Sequence, residues 1–376
     1  MKTLNDFNFK EKTVLLRADL NSDVVGKKVL ISERIKASVE TIKELKKKKA
    51  KIVVIAHQGN PGKSNFLSLK QHSKLLNKYT KIKFVKDIIG KKAEKAIKSL
   101  KPGQALLLEN IRFINDEFHP EKAQKNKLTT TLSKLCDVYI NDAFSVCHRK
   151  HTSIVSFPKY MKSCAGRLLE KEVKALKKIK IKNCLYILGG AKPKENIRLL
   201  KGKNKILACG LFGQLCIITK GKNLGFQNKY LKDDLPLVNK LKKKLKNVQT
   251  PVDFAIKINN KRVELALEKF PSKYEIYDIG KKTQEKYIKV IRKAKAIYMK
   301  GPAGYCADKK FCKGTNKILK AIAKNKGFSV IGGGHLSDAI EKSKINKKKF
   351  NHISLSGGAL LRYIAGEKLP GLEVLN

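Results

Sequence analysis

Short runs of β-branched and aliphatic residues recur along the chain, each followed by a lysine-rich stretch whose apolar residues return at helical spacing. The runs are Thr13–Leu16, Ile52–Ile55, Ala105–Leu108, Val138–Ile140, Leu185–Leu188, Ile206–Ala208, Ile297–Met299 and Phe328–Ile331. A strand exposed on one face alternates apolar with polar residues, whereas a parallel strand covered by helices on both faces reads as a continuous apolar run. The pattern predicts an α/β fold. Between the halves, Leu169, Val173, Leu176 and Lys180 recur at helical spacing within Gly166–Lys180 with no breaker, which predicts a helix joining two domains.

The length of 376 residues agrees with two or three domains, and 42% apolar residues excludes disorder throughout. No window approaches the ~20 uncharged apolar residues of a membrane span, and the N-terminus lacks the apolar core of a secretory signal. A soluble cytoplasmic protein is expected, with no membrane partner. The eight cysteines fall at irregular spacings with no CxxC pair. They read as buried, reduced, small apolar residues, not as metal ligands or disulfides.

The formal net charge is +53, from 84 Lys+Arg against 31 Asp+Glu. Such an excess raises the prospect of nucleic-acid binding. However, only nine of those residues are arginine, the lysines are spread everywhere, and no aromatic residues interleave them as stacking platforms. A solvated, compositionally biased surface is the expectation, with nucleic acid the minority reading.

Ligands of open parallel sheets bind outside the carboxyl ends of the strands. In the first half the residues there are Arg17, Asp19 and Asn21; His57, Gln58 and Gly59; Asn110 and Arg112; and Asn141, Asp142, His148 and Arg149. Four of the nine arginines (17, 34, 112 and 149) fall in or near these segments. Lysine cannot imitate a planar fork that grips a carboxylate or phosphate through two hydrogen bonds, so together they predict a pocket for a small polyanion. Arg17 is expected to pair with a neighbouring acid. In the second half, strands run into glycines and then helices, at Gly189-Gly190-Ala191-Lys192, Gly332-Gly333-Gly334-His335 and Gly357-Gly358. Bare backbone N–H groups at helix starts favour phosphate, which points to a nucleotide. Gly59–Ser64 lacks the first glycine of a Walker A loop, and position 337 is Ser, so neither standard nucleotide fingerprint is present.

These segments resemble the phosphoglycerate kinase family, in its archaeal form, over essentially the full chain. The resemblance is carried by Arg17–Ser22, Arg34, Ala56–Gly59, Leu108–Phe113, Asn141–Phe144 with His148-Arg149, Leu188–Lys192, Pro251–Phe254, Gly301–Gly304, Gly332–His335, His352–Ser354 and Leu369–Gly371. It implies two doubly wound domains joined by a helix and closing about a hinged cleft. Residues 1–165 would hold 3-phosphoglycerate, 166–182 form the joining helix, 183–364 bind magnesium with ADP or ATP, and the tail 365–376 return to the first domain. The implied activity is reversible phosphoryl transfer between 1,3-bisphosphoglycerate and ADP, in glycolysis or gluconeogenesis.

By the same resemblance Asp19 and Asn21 hold the glycerate end, and His57, Gln58, Gly59, Asn60, Arg112 and Arg149 surround its phosphate. Arg34 and Lys192 supply cations to the transferring group, and Gly333 and Gly358 supply backbone N–H groups. Gly190, Ala191, Gly210, Lys300, Pro302, Ala307, Gly332, Gly334 and His335 fall on the nucleotide side. The metal ligand stays open between His335 and the nucleotide phosphates alone.

Departures concentrate on that side. Ala307 stands where the family has a ribose-contacting Glu, Lys300 where an Asn is usual, Leu336 where a small hydroxyl residue is usual, Cys209 where a Gly is usual, and Asn196 where the widespread form has a second Lys. His335 replaces an Asp of the widespread form, and Leu355-Ser356 replace Thr-Gly. In the first half Asn60 replaces a basic residue. Weakened nucleotide binding on a retained fold, or a basic nucleic-acid-binding protein reusing it, are the competing readings.

Overall fold

Every residue of the strand Thr13–Ala18 except the first is buried, as are all five of Val138–Asp142. Burial on both faces is what continuous apolar runs require. The structure, a computed structural model, describes residues 1–122, 125–179, 183–200 and 204–375. The chain divides into two units, one of Met1–Val173 with Glu367–Asn376, the other of Lys174–Gly366. The end of the expected joining helix, 180–182, lies outside the described residues.

The first unit is built on six parallel strands in the spatial order Lys83–Phe84, Ala105–Leu107, Lys51–Ile55, Thr13–Ala18, Val138–Asp142, Lys162–Ala165. The order changes direction at Thr13–Ala18, which pairs with Lys51–Ile55 on one side and Val138–Asp142 on the other. That switch opens a crevice at the carboxyl ends, beside Asp19 and Ala143. The helix Glu33–Lys47 packs Ile35, Val39, Ile42 and Leu45 into the core beneath the sheet. Ser32 caps its N-terminus by accepting from the Ile35 N–H, and Lys46 and Lys47 suit the negative end of its dipole. Arg34 is thereby fixed in its first turn, at the crevice.

The second unit holds six parallel strands in the order Val248–Gln249, Ile206–Ala208, Leu185–Leu188, Ala296–Lys300, Phe328–Gly332, His352–Ser354. In chain order this is 3-2-1-4-5-6, the doubly wound arrangement, with its switch between Leu185–Leu188 and Ala296–Lys300. A three-stranded antiparallel sheet, Lys261–Ala266, Asp253–Ile258 and Ile276–Ile279, lies outside the predicted pattern. Its own small core gathers Phe254, Ile256, Phe270 and Ile276 with Ile217 and Leu224. Among the described residues no helix is long and apolar enough to cross a membrane.

Six cysteines are buried free thiols, as expected. Cys306 and Cys312 correct that reading, because they form a disulfide across six positions, with Cα atoms 4.3 Å apart. The short 3-10 turn Lys309–Phe311 folds the chain back and brings them together, a juxtaposition that spacing alone does not encode. The tail is held by Gly371, whose N–H donates to Cys147 O at 2.9 Å. A Cβ there would lie 2.6 Å from Ile154 Cγ2, so no larger residue fits without displacement.

Asp142 anchors the helix Arg167–Lys178. Its Oδ1 accepts from the N–H groups of Leu168 at 2.8 Å and Leu169 at 3.2 Å, while Oδ2 has no hydrogen-bond partner among the described residues. Burial pushes this carboxyl up to about 7, even against the stabilising Thr41 hydroxyl and the backbone donors. The folded state therefore holds a proton that the unfolded chain releases near pH 4, and stability contributed by this group falls as pH rises from about 4 through 7. Asp142→Asn keeps an acceptor for the helix start and removes the titration. We expect its thermal midpoint to gain on that of the wild type steadily between pH 5 and pH 8, which differential scanning at a series of pH values measures; a constant difference would refute the assignment.

Candidate functional site

Residues predicted from separate strand ends meet in the first unit. Arg17 is fully buried and donates from Nε to Ser153 Oγ at 3.0 Å, from Nη1 to its neighbour's carbonyl, Ala18 O, at 2.5 Å, and from Nη2 to His57 Nδ1 at 2.8 Å. Among the described residues it has no direct carboxylate partner, which corrects the expectation for it. The nearest compensation is indirect, because Ser153 donates to Glu117 through both its hydroxyl, at 2.8 Å, and its backbone N–H, at 2.9 Å. Burial, reinforced by the charges of Arg17, Arg112, Arg149 and Arg34, holds the His57 imidazole well below the usual histidine range. His57 is thus neutral at pH 7, accepting at Nδ1 and leaving Nε2–H as a donor.

Arg112 donates from Nη1 to Gly59 O at 2.5 Å and Asn60 Oδ1 at 2.7 Å. Its Nε and Nη2 are buried and have no hydrogen-bond partner among the described residues. Burial, with repulsion from Arg17 and Arg149, lowers its pKa to about 10, so it stays charged at pH 7. What this group lacks, acceptors and a countercharge, is what an anion carries.

Asp19 and Arg34 stand at the other end of the crevice, with Arg34 Nε 3.7 Å from Asp19 Oδ2 and its Nη1 donating to Asn21 O at 3.1 Å. Asp19 Oδ1 is buried without a hydrogen-bond partner among the described residues, an acceptor suited to a hydroxyl. Asn21 Oδ1 takes the Gly59 N–H at 2.9 Å. Gln58 differs from expectation. Its Oε1 accepts from Ser22 N at 2.9 Å and contacts His72 Nε2 at 3.0 Å, and its Nε2 donates to Ser22 O and Asn65 O. Fully buried and satisfied, Gln58 positions the loop and has nothing left for a ligand.

In the second unit the two turns at the sheet's switch point interlock. Gly189 N donates to Lys300 O and Gly190 N to Pro302 O, each at 2.8 Å. Gly190, at φ +79°, approaches Gly301 Cα closely enough that a Cβ would sit 3.3 Å from it. Ala191 and Lys192 follow, and Lys192 begins the short helix Pro193–Ile197 with its side chain 75% exposed. Gly210 donates to Ala303 O at 3.1 Å, which joins a third turn to the same edge. Gly332 ends its strand, and Gly333, at φ +107°, leads into the helix Gly334–Lys342; added Cβ atoms at Gly333 or Gly334 would meet open space. Gly358 begins the helix Gly358–Ile364. His335 falls in the first turn of its helix, with its side chain outside the described part.

Several departures acquire a physical explanation. Leu336 turns into the core with Ile331, Ala339 and Ile340, away from the glycine turn. Cys209 is buried, with Sγ 3.4 Å from Leu188 O, and burial raises its thiol pKa. Lys300 Nζ donates to Asn196 Oδ1 at 3.0 Å and pairs with Glu195 Oε2 at 3.0 Å; burial lowers its pKa. Lys192 Nζ lies 3.8 Å from Glu195 Oε1. Ala307 is exposed in the loop closed by the disulfide, next to Asp308, which caps the turn Lys309–Phe311.

Sequence reasoning missed Glu195, which touches both lysines, although its place three residues after Lys192 is a legible helical signal. It also missed Glu117 and Ser153, which set the Arg17 fork. They stand 36 residues apart, with no local pattern to link them.

A family model described as "Phosphoglycerate kinase" matches residues 4–367. The chain is 39% identical to the phosphoglycerate kinase of Methanothermus fervidus, covering 99% of this chain and 96% of that one. With the Sulfolobus acidocaldarius phosphoglycerate kinase the identity is 41%, covering 100% and 95%. The crystal structure of phosphoglycerate kinase from Pyrococcus horikoshii superposes with a TM-score of 0.91 at 36% identity, covering 100% of this chain and 98% of that one. The corresponding figures for the Coxiella burnetii phosphoglycerate kinase are 0.81, 27%, 100% and 98%. Two doubly wound sheets, a buried arginine cluster at one switch point, interlocked glycine turns at the other and these full-length likenesses lead to one conclusion: the chain belongs to the phosphoglycerate kinase family.

Proposed function

We propose that the chain interconverts 1,3-bisphosphoglycerate and ADP with 3-phosphoglycerate and ATP. The observation that carries the reading is the Arg112 fork, charged, buried and half unsatisfied beside Arg17, Arg149 and neutral His57. Such a cluster is a donor site suited to the oxygens of a phosphate monoester. Asp19 and Asn21, at its other end, take the hydroxyl and carboxylate of the glycerate.

The acceptor carboxylate is ionised at neutral pH, so the reaction in the ATP-consuming direction needs no general base. Catalysis rests on position and on positive groups around the oxygens of the transferring phosphoryl. Arg34 serves from the first unit and Lys192 from the second. Because the substrates occupy different units, reaction at ~3–3.5 Å calls for closure and exclusion of water. The nucleotide phosphates lie against backbone N–H groups at Gly333, Gly334 and Gly358, with Gly190, Lys300, Gly210 and Pro302 along the same edge.

Among the described residues no group of three or more His, Cys, Asp and Glu could hold a metal. The turns offer N–H groups and ammonium groups, a donor set for phosphate and not for a cation. Magnesium fits here as part of the nucleotide substrate, bound to its phosphates. Work in the cytoplasm suits the small-molecule substrates and the free thiols.

Loss of the ribose contact at Ala307 leaves room for weak or relaxed nucleotide choice, an effect of up to about 100-fold for one charge-assisted hydrogen bond. Calorimetric titration of ADP and ATP with magnesium reads it directly. Turnover below roughly 1 s⁻¹ at saturating substrates, beneath the usual kinase range, would favour the reading of a retained fold with degraded nucleotide binding.

The two arginines should separate binding from chemistry. At about 100 times its Kd, 3-phosphoglycerate should stabilise the wild type by about 2.7 kcal/mol, and Arg112→Ala should lose most of that thermal shift. Arg34→Ala should keep most of the shift and lower kcat by ~10²–10³, the scale of one electrostatic stabiliser. Ligand-dependent melting and a coupled assay test both; near-normal kcat in Arg34→Ala would remove it from the catalytic group.

A further inference from the structure

The helices Lys281–Arg292 and Lys313–Lys324 both bury apolar faces in the core of the second unit, through Tyr287 and Ile291 in one and Ile318, Leu319 and Ile322 in the other. Each runs toward the start of the strand that follows it. Where they end they enclose a groove of about 870 Å³. Its cations are Arg292, Lys295, Lys317, Lys320, Lys324 and Lys326, over a floor of Ile288, Ala294 and Ala321, and no Asp or Glu lines it. Among the described residues none of the six has an ion pair or side-chain hydrogen bond.

Arg292 is the informative member. The chain uses lysine far more often than arginine, and Arg262, another arginine of the second unit, is locked to Asp278 at 2.8 Å and Glu264 at 2.8 Å. Arg292 has no such partner, and capping does not account for it either. Asn325 Nδ2 already donates to the carbonyls of Ile291 at 2.7 Å, Arg292 at 3.3 Å and Ala294 at 3.1 Å, so the end of the helix is closed without the guanidinium. The planar fork is left for an external acceptor of matching geometry, which phosphate provides.

Along the facing helix, Lys317, Lys320 and Lys324 recur at i, i+3 and i+7. They form one stripe about 10 Å long at 1.5 Å per residue. A stripe of ammonium groups opposite a guanidinium, in a concave channel, fits a chain of phosphates better than a single one. A duplex is too broad to enter between two packed helices, and a membrane surface is too flat. No aromatic residue is present for base stacking. We propose that this groove binds single-stranded nucleic acid through its phosphodiester backbone, without base preference. It lies at the amino ends of Ala296–Lys300 and Phe328–Gly332, the length of a strand, ~15 Å, from the glycine turns at their carboxyl ends. Occupancy is therefore compatible with phosphoryl transfer.

The test is fluorescence anisotropy with labelled oligouridylate across a salt series, using the whole chain. Six contacts give a log–log salt slope of about −4 for a single strand. Reversing four of them (Arg292→Glu, Lys317→Glu, Lys320→Glu, Lys324→Glu) should reduce the slope by about 3 and weaken binding on the order of 10²-fold near physiological salt. The thermal midpoint and phosphoryl-transfer kcat should hold. A control with the same charge change in the exposed run (Lys242→Glu, Lys243→Glu, Lys244→Glu, Lys246→Glu) should lose far less. Arg292→Lys, which keeps the charge and cannot disturb folding through it, should weaken binding severalfold. Equal losses in the two reversed variants would mean diffuse charge and overturn the proposal. So would unchanged binding in the groove variant, tighter groove-dependent binding of duplex, inorganic polyphosphate or anionic vesicles than of oligouridylate, or no oligouridylate binding by the wild type at physiological salt.

Discussion

Like charges converge where the first sheet changes direction. Arg17, Arg112 and Arg149 crowd around one imidazole, and burial magnifies their repulsion because water cannot screen it. A histidine in that field gives up its proton, and a guanidinium keeps its charge at a cost. The surrounding structure is arranged to hold this assembly open. Glu117 is not spent on the guanidinium groups directly but on Ser153, which fixes the direction of the Arg17 fork. Gln58 and Asn110 tie the intervening loop, with Asn110 Nδ2 donating to Gln58 O at 2.8 Å and Leu67 O at 2.9 Å. A cluster neutralised by neighbouring acids would be more stable empty and a poorer host for an anion.

The second unit builds the edge at its own switch point by different means. Its turns carry few formal charges, and the ones present are partly compensated by Glu195. Backbone groups dominate that edge, and the lack of side chains at Gly190 and Gly301 is what lets its turns interlock. The contrast is chemically sensible. On the proposed assignment, a small acid is held by its two ends in the first unit, whereas a nucleotide in the second has to shed a phosphoryl group and leave.

Much of this was legible in the residues alone. Continuous apolar runs located the main strands because parallel strands are buried on both faces, and arginine scarcity drew attention to Arg17 and Arg112, which the fold buries side by side around His57. The small antiparallel sheet was not legible, since strands such as Lys261–Ala266 are half exposed and rich in lysine and glutamate. Long-range polar partners escaped for a different reason. Whether Arg17 meets an acid or a serine depends on which loop lies over it, and Ser153 is 136 residues away. Leu336 shows the limit of reading a motif by position, because a helix turns successive side chains about 100° and sends this one inward. The disulfide depended on one tight turn.

The tail's docking at Cys147 has a bearing on synthesis. The chain leaves the first unit at Val173 and re-enters it at Glu367, about 190 residues later. At translation speeds of 5–20 residues per second, a nascent first unit waits roughly 10–40 s for its final segment. During that interval the surface around Ile154 that Gly371 will cover is exposed on the ribosome. The second unit emerges complete meanwhile, so the part of the enzyme that begins first is finished last.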